Sequence, residues 1–224
     1  MRIRYKAWAR PELEASYFYE NEPEKYIGNW KKKFEIEDLP LHIELGCGKG
    51  SFISELACRN SNINYIAIDL IDAMLGLAKR NVEEKYKFNN KKVTNLVLVR
   101  YDIERILNIF NKDDNIDRIY INFCNPWPKA KHKKKRLTHP KQLEKYKKIL
   151  NNNGKIYFKT DDDSLFNESL IYFEENGFKI ISKTYDLHKN DIFNGNNIIT
   201  EHEKMFSEQG IKIKALIAAN KEMK

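Results

Sequence analysis

Residues 42–52 read HIELGCGKGSF, and the reading of this stretch decides the fold. The run Leu41–Leu45 reads as a strand. Three glycines follow at Gly46, Gly48 and Gly50, where a backbone without Cβ can turn tightly and let a ligand come close. Ser51–Arg59 then has helical spacing, with Phe52, Ile53, Leu56 and Ala57 on one face.

The same alternation continues outward. Ile63–Asp69 reads as a second strand, and Ile71, Met74, Leu75, Ala78 and Val82 follow at helical spacing. Asn95–Tyr101 and Ile116–Phe123 read as the third and fourth strands. Thr138 and Pro140 predict the cap and first turn of a helix running to Leu150. Gly154–Thr160 is a fifth strand, and Asp163–Asn176 a helix that Gly177 stops. Phe178–Thr184 and Ile211–Ala219 complete seven strands, and the segment 185–210 between them is too long for a plain turn. This pattern predicts an α/β, Rossmann-like chain: a mostly parallel seven-stranded sheet with helices on both faces. Residues 1–38, rich in basic and aromatic side chains, read as an N-terminal extension to a domain spanning 39–224.

Ligands of such sheets bind at the carboxyl ends of the strands. Gly46–Gly50, Asp69, Asp102 and Asn125 each follow directly on one of the first four strands. Asp69 lies 19 residues beyond Gly50, a spacing that suits an acid accepting two ribose hydroxyls. That spacing fits a nicotinamide cofactor or S-adenosylmethionine. Two details separate them. The glycines run GxGxG rather than GxGxxG, and Glu44 stands just before them, where it would repel a pyrophosphate and attract a cationic cofactor. Asp102 adds a third acid, suited to an adenine amino group. No GxxxxGK[ST] phosphate loop occurs.

The 224 residues are enough for a full core, with 42% hydrophobic and 32% charged side chains. No apolar run is long enough to span a bilayer, and MRIRYKAWARPELE lacks the apolar core of a secretion signal. Three scattered cysteines, Cys47, Cys58 and Cys124, argue for reduced thiols in a cytoplasm and against a zinc site. The net charge of +8 makes a polyanion a plausible partner. Its placement says more: residues 129–148 carry ten of the forty Lys and Arg and a single acid, Glu144.

That basic block follows an unusual turn, NFCNPWPK, at residues 122–129. Its two prolines predict a rigid, extended backbone, and Trp127 offers a flat wall beside the strand end. The elements IELGCGKG, NFCNPWPK, KHKKKRL, FKTD and TEHEKMF occur in this order along the chain. Together they resemble the bacterial tRNA (guanine-N7)-methyltransferase family, over almost the whole chain. The resemblance implies methyl transfer from S-adenosylmethionine to guanine N7 in tRNA, at position 46 of the variable loop. It implies that Glu44, Gly46, Gly48, Asp69, Asp102 and Asn125 hold the cofactor. It implies that Lys129, Asp161 and the segment Thr200, Glu201, His202 and Glu203 contact tRNA.

Two positions depart from the family pattern. Asn125 stands where an aspartate is usual, and His202 where a tyrosine is usual. Asn125 is therefore expected to position, and Asp161 to supply the fixed negative charge. Thr200 and Glu203 also have capping-box spacing, which predicts a helix start. The rival readings are a tRNA-binding protein whose catalysis is impaired by Asn125, and a nicotinamide-dependent oxidoreductase. Monomer and homodimer both remain open.

Overall fold

A computed structural model describes residues 4–195 and 197–220. The chain divides into two compact units, the first running to Asp114 and the second starting at Asn115.

The first unit opens with helix α1 (Ala9–Glu14) and a two-residue strand, β1 (Tyr19–Glu20). Then come β2 (Leu41–Leu45), α2 (Ser51–Arg59), β3 (Asn64–Asp69), α3 (Asp72–Phe88) and β4 (Leu96–Arg100). All its strand pairs are parallel, in the order β1-β4-β3-β2. Every residue of β2 is buried, as expected of a parallel strand covered on both faces. Helix α3 buries Ala73, Leu75, Gly76, Ala78, Val82 and Tyr86 along one stripe. At Gly76 a Cβ would come within 2.7 Å of the Ala9 Cβ and 2.9 Å of Trp8, so the glycine is what lets α1 lie against α3.

The N-terminal segment is therefore packed. Trp30 is fully buried and its indole N–H donates to the Ile109 carbonyl at 2.6 Å. The Asp114 carboxylate accepts the backbone N–H groups of Gly28, Trp30 and Asn111 at 3.0, 3.2 and 2.9 Å. Of the basic residues in this segment, Arg10 pairs with Glu14, and Arg2 lies outside the described residues.

The second unit contains β5 (Ile116–Asn122), α4 (Pro140–Ile149), β6 (Leu150–Thr160), α5 (Asp163–Glu175) and β7 (Phe178–Thr184). It ends with two helices, α6 (Asp191–Asn194) and α7 (Glu201–Glu208), and with β8 (Lys214–Asn220). Its strand order is β5-β6-β8-β7, with β5 parallel to β6 and β8 antiparallel to both its neighbours. Ile119 and Ile121 of β5, Ile156 and Phe158 of β6, and Phe166 and Phe173 of α5 are all fully buried. All seven expected strands are present, mostly parallel, and Tyr19–Glu20 is an addition. The fourth expected strand is β5.

Two local expectations are corrected. The cap of α4 is His139, whose Nδ1 accepts the Lys141 N–H at 3.2 Å; Thr138 instead shares a 2.7 Å hydrogen bond with Ser169. Burial, together with the charges of Lys141, Lys134 and Arg136, lowers the His139 pKa, which favours the neutral ring that a cap acceptor requires. The backbone of the Pro-Trp-Pro turn is not extended throughout: Phe123 and Trp127 have φ of 51° and 41°. The segment 185–210, expected to be too long for a plain turn, carries α6 and α7.

Candidate active site and nucleic-acid face

In the first unit the three expected acids stand at the carboxyl ends of three neighbouring parallel strands. Register pairs Leu45 with Ile68 and Asp69 with Arg100, so the ends of β2, β3 and β4 adjoin. Glu44 is buried on β2. Asp69 ends β3, with one carboxylate oxygen accepting the Gly48 N–H at 2.9 Å and the other the Ile71 N–H at 3.0 Å. Asp102 follows β4 and accepts the Glu104 N–H at 2.9 Å. The glycine loop is anchored by hydrogen bonds from Gly46 N–H and Cys47 N–H to the Ile68 carbonyl, at 2.9 and 3.0 Å.

Gly46, Gly48 and Gly50 all have positive φ, at 77°, 55° and 73°. Only glycine adopts this conformation at low cost. The space around them differs. A Cβ on Gly50 would sit 2.7 Å from the Ala78 Cβ, whereas one on Gly48 would have only Met74 Cε within 4 Å, at 3.8 Å. Gly48 is thus the open side of the loop and Gly50 its packed side. Burial raises the Asp69 pKa, against the pull of three backbone N–H groups. Burial also pushes the Cys47 thiol far above its usual range, reinforced by the negative charge of Asp69 and Glu44. The thiol stays protonated, and both carboxylates lie close enough to act on it. A set of carboxylates beside an open glycine turn fits a cofactor bearing hydroxyl, ammonium and sulfonium groups.

Asn125 lies in the second unit. Its Oδ1 accepts the Trp127 N–H at 3.0 Å, closing a turn over Pro126. Aspartate makes the same turn, so this role survives the loss of charge. Trp127 is half-buried rather than core, with Lys135 Nζ 5.2 Å from its ring centroid and His132 packed beside it at 5.6 Å. Arg136 fixes the turn from behind. It is buried, and its Nε donates to the Pro126 carbonyl at 2.6 Å.

The six cations from Lys129 to Arg136 are consequently not equivalent. Arg136 and Lys133 both donate to Glu168, at 2.9 and 2.8 Å. Burial works to raise the Glu168 pKa, but Lys133, Tyr172, Arg136 and Ser164 outweigh it and hold it at about 2. Lys129, Lys131, Lys134 and Lys135 are exposed.

The ends of β5 and β6 adjoin, with Asn122 opposite Lys159 and the Phe123 N–H donating to the Lys159 carbonyl at 2.9 Å. Asp161 follows β6. Its carbonyl accepts from Lys214 Nζ at 2.9 Å, and the same amine meets the Asp163 carboxylate at 2.9 Å. Burial raises the Asp161 pKa, as does Asp162, while Lys214 and His202 pull it down. Desolvation pushes the Cys124 thiol up to about 12, and Asp161 adds to that shift.

His202 stacks on Phe123, with centroids 6.0 Å apart and planes 18° from parallel. Phe123, Cys124, Asp161 and His202 are thus brought into one neighbourhood. Thr200 caps α7, accepting the Glu203 N–H at 3.0 Å. Glu201 and His202 are exposed, but Glu203 is fully buried. Its carboxylate does not complete the expected capping box; it binds Lys159, His188 and Asn197 instead. Sequence reasoning missed these three partners. Lys159 alone carried a signal, as the one cation in the otherwise apolar strand run IYFKT.

With this geometry established, comparison with known proteins is decisive. The family model Methyltransf_4 ("Putative methyltransferase") matches residues 38–216. The tRNA (guanine-N(7)-)-methyltransferase of Clostridium beijerinckii is 58% identical over 218 residues, covering 97% of this chain and 98% of its own. That of Ruminiclostridium cellulolyticum is 55% identical over 223 residues, covering 99% and 93%. The chain belongs to the tRNA (guanine-N(7)-)-methyltransferase family. Solved structures agree on the fold. The 16S rRNA methyltransferase KamB superposes with a TM-score of 0.58 at 12% identity, covering 98% of this chain and 96% of its own. An antibiotic-related methyltransferase gives 0.57 at 21% identity, covering 80% and 86%. This is the α/β fold of methyltransferases, as the glycine loop and strand pattern predict.

Proposed function

We propose that this chain transfers a methyl group to N7 of a guanine in tRNA, at position 46 of the variable loop. Similarity over nearly the whole chain to relatives named tRNA (guanine-N(7)-)-methyltransferase supports the N7 reading, and position 46 is what the family resemblance implies. S-adenosylmethionine, when bound, supplies a methyl whose C–S bond breaks as the bond to N7 forms. Glu44, Gly46, Gly48, Asp69 and Asp102 hold it, and Asn125, which shapes the turn after β5, is a further cofactor residue by the family resemblance. A cytoplasmic setting belongs to the same reading, supported by three cysteines without disulfides. Residues 39–224 form the catalytic domain in this reading, and 1–38 an N-terminal extension to it.

The chain's own residues have little proton chemistry to do. Guanine N7 presents an in-plane lone pair and no proton, so no general base is required. Alignment and exclusion of water are the main tasks, and such positioning is worth up to about 7–11 kcal/mol. Methylation leaves positive charge on the purine. Asp161, half-buried beside Phe123 and His202, is suited to stabilise that charge. Asn125 has no charge to offer and keeps the turn. Lys129, Lys131, Lys134 and Lys135 are free of the Glu168 cluster and suited to backbone phosphates, which position without specifying sequence. Thr200, Glu201 and His202 form the substrate side of α7, and Glu203 acts from beneath it.

The test is incubation of unmodified tRNA with labelled S-adenosylmethionine, followed by borohydride and aniline cleavage. Label and strand scission at one variable-loop guanine are expected. Binding of S-adenosylhomocysteine without transfer would instead mean an inactive tRNA binder. Binding of a nicotinamide cofactor would mean an oxidoreductase.

A further inference from the structure

Lys159, near the end of β6, is a buried lysine. Its Nζ donates to Asn197 Oδ1 at 3.0 Å, to the Ile198 carbonyl at 3.1 Å and to Glu203 Oε2 at 2.8 Å. The other oxygen of Glu203 accepts from Asn197 Nδ2 at 2.5 Å and faces His188 Nε2 at 2.8 Å. One carboxylate therefore ties together a sheet strand, the short helical segment Leu187–Lys189, the chain entering α7, and α7 itself. Burial acts to raise the Glu203 pKa, but Lys159, His188 and Asn197 outweigh it and leave it below its ordinary value.

Helix α7 has eight residues, too few to hold its shape alone. Its apolar support is modest: Phe206 and Phe123 pack against a small cluster of Leu187, Ile213 and Ala215. Greasy contacts of this kind would hold the helix down, but they leave rotation and sliding loosely set. A buried ion pair with every neighbour hydrogen-bonded gains little stability over an apolar pair, yet it has direction. The residue before Glu203 is His202, which stacks on Phe123 and acts on Asp161.

We propose that the Lys159–Glu203 pair, with His188 and Asn197, is a positioning latch for the substrate-binding helix. It sets where Thr200, Glu201 and His202 stand relative to Phe123 and Asp161, without touching the nucleic acid itself. The assignment of α7 to the substrate side rests on the function proposed above; the latch itself does not.

The test compares wild type with Glu203→Gln, Lys159→Met and the apolar double variant Lys159→Met/Glu203→Leu. Amide exchange of the protein alone should quicken about tenfold over residues 200–208 in each variant, with β5 and β6 unchanged. The KM for tRNA should rise about tenfold while the affinity for S-adenosylhomocysteine changes less than about twofold. The double variant should recover the melting temperature lost in the single ones but keep the raised KM. A merely structural pair would recover both together, which would overturn the proposal. Unchanged exchange over 200–208 in all variants would also overturn it. Wild type lacking any transfer to tRNA would refute the proposed function, and the exchange data would still decide the latch.

Discussion

Arg136 and Glu168 meet at 2.9 Å, and the same buried guanidinium holds the Pro126 carbonyl at 2.6 Å. The most basic stretch of the chain thus spends its last cation inside, bracing the turn that carries Asn125 and Trp127. Replacing Arg136 by Met should cost about 3 kcal/mol, because Glu168 loses its innermost partner and Pro126 its donor. Urea unfolding would measure this, and a loss below about 0.5 kcal/mol would mean that the brace is dispensable.

Glu168 also sets a pH signature. Its folded pKa, about 2, lies below the ordinary 4.5, so its contribution is fully present above the unfolded value. That contribution should fade as the pH falls from 4.5 toward 2. Glu168→Gln should flatten this part of a stability-versus-pH curve and leave the region above pH about 6 parallel to wild type.

Asp161 predicts a pH effect on rate. Burial raises its pKa, so the acid limb of the single-turnover rate should lie above the ordinary aspartate range. Asp161→Asn should lower the rate about a hundredfold and abolish that limb. Asn125→Asp keeps the acceptor that makes the turn and should change the rate less than about threefold. A hundredfold gain from Asn125→Asp, with no loss from Asp161→Asn, would reverse the two roles.

The glycine loop separates strain from crowding. Gly50→Ala suffers both a φ of 73° and a 2.7 Å clash with Ala78, and should cost about 3 kcal/mol. Gly48→Ala suffers the backbone penalty alone and should cost about 1 kcal/mol. Melting curves would rank them. Calorimetry should find S-adenosylhomocysteine affinity lowered in Gly48→Ala by more than its stability loss implies, since its Cβ enters the open side of the loop.

Exposed and pinned lysines should also separate. Lys129→Ala or Lys134→Ala should reduce the slope of log affinity for tRNA against log salt by about 1. Lys133→Ala, whose amine is committed to Glu168, should leave the slope unchanged and lower stability instead. Equal slopes for all three would mean that Glu168 releases Lys133 to the nucleic acid.

Much of this was legible in the sequence, and the boundary between legible and hidden is physical. Leu41–Leu45, Ser51–Arg59 and Phe178–Thr184 emerge with their expected bounds because local periodicity fixes them. The glycine loop and its acids follow from chain order along parallel strands. Hidden were features made by side chains distant in sequence. Arg136 looked like one more surface cation until Glu168 and the Pro126 carbonyl enclosed it. Glu203 had the right spacing for a cap, but Lys159, 44 residues away, claimed its carboxylate. The left-handed backbone at Trp127 runs against the usual preference of a residue before proline, in a turn held by the Trp127 N–H to Asn125 and by Arg136 on the Pro126 carbonyl.

Tyr19 and Glu20 lie alongside Leu98 and Val99 of β4, with Lys33 closing on Glu20 at 2.7 Å. A bare outer strand is an invitation for another polypeptide to add itself by backbone hydrogen bonding. Two residues and one ion pair withdraw that invitation on one flank of the first unit. Deleting the N-terminal segment through residue 20 would therefore harm more than packing on α3: it would bare the outer edge of β4 as a nucleus for precipitation.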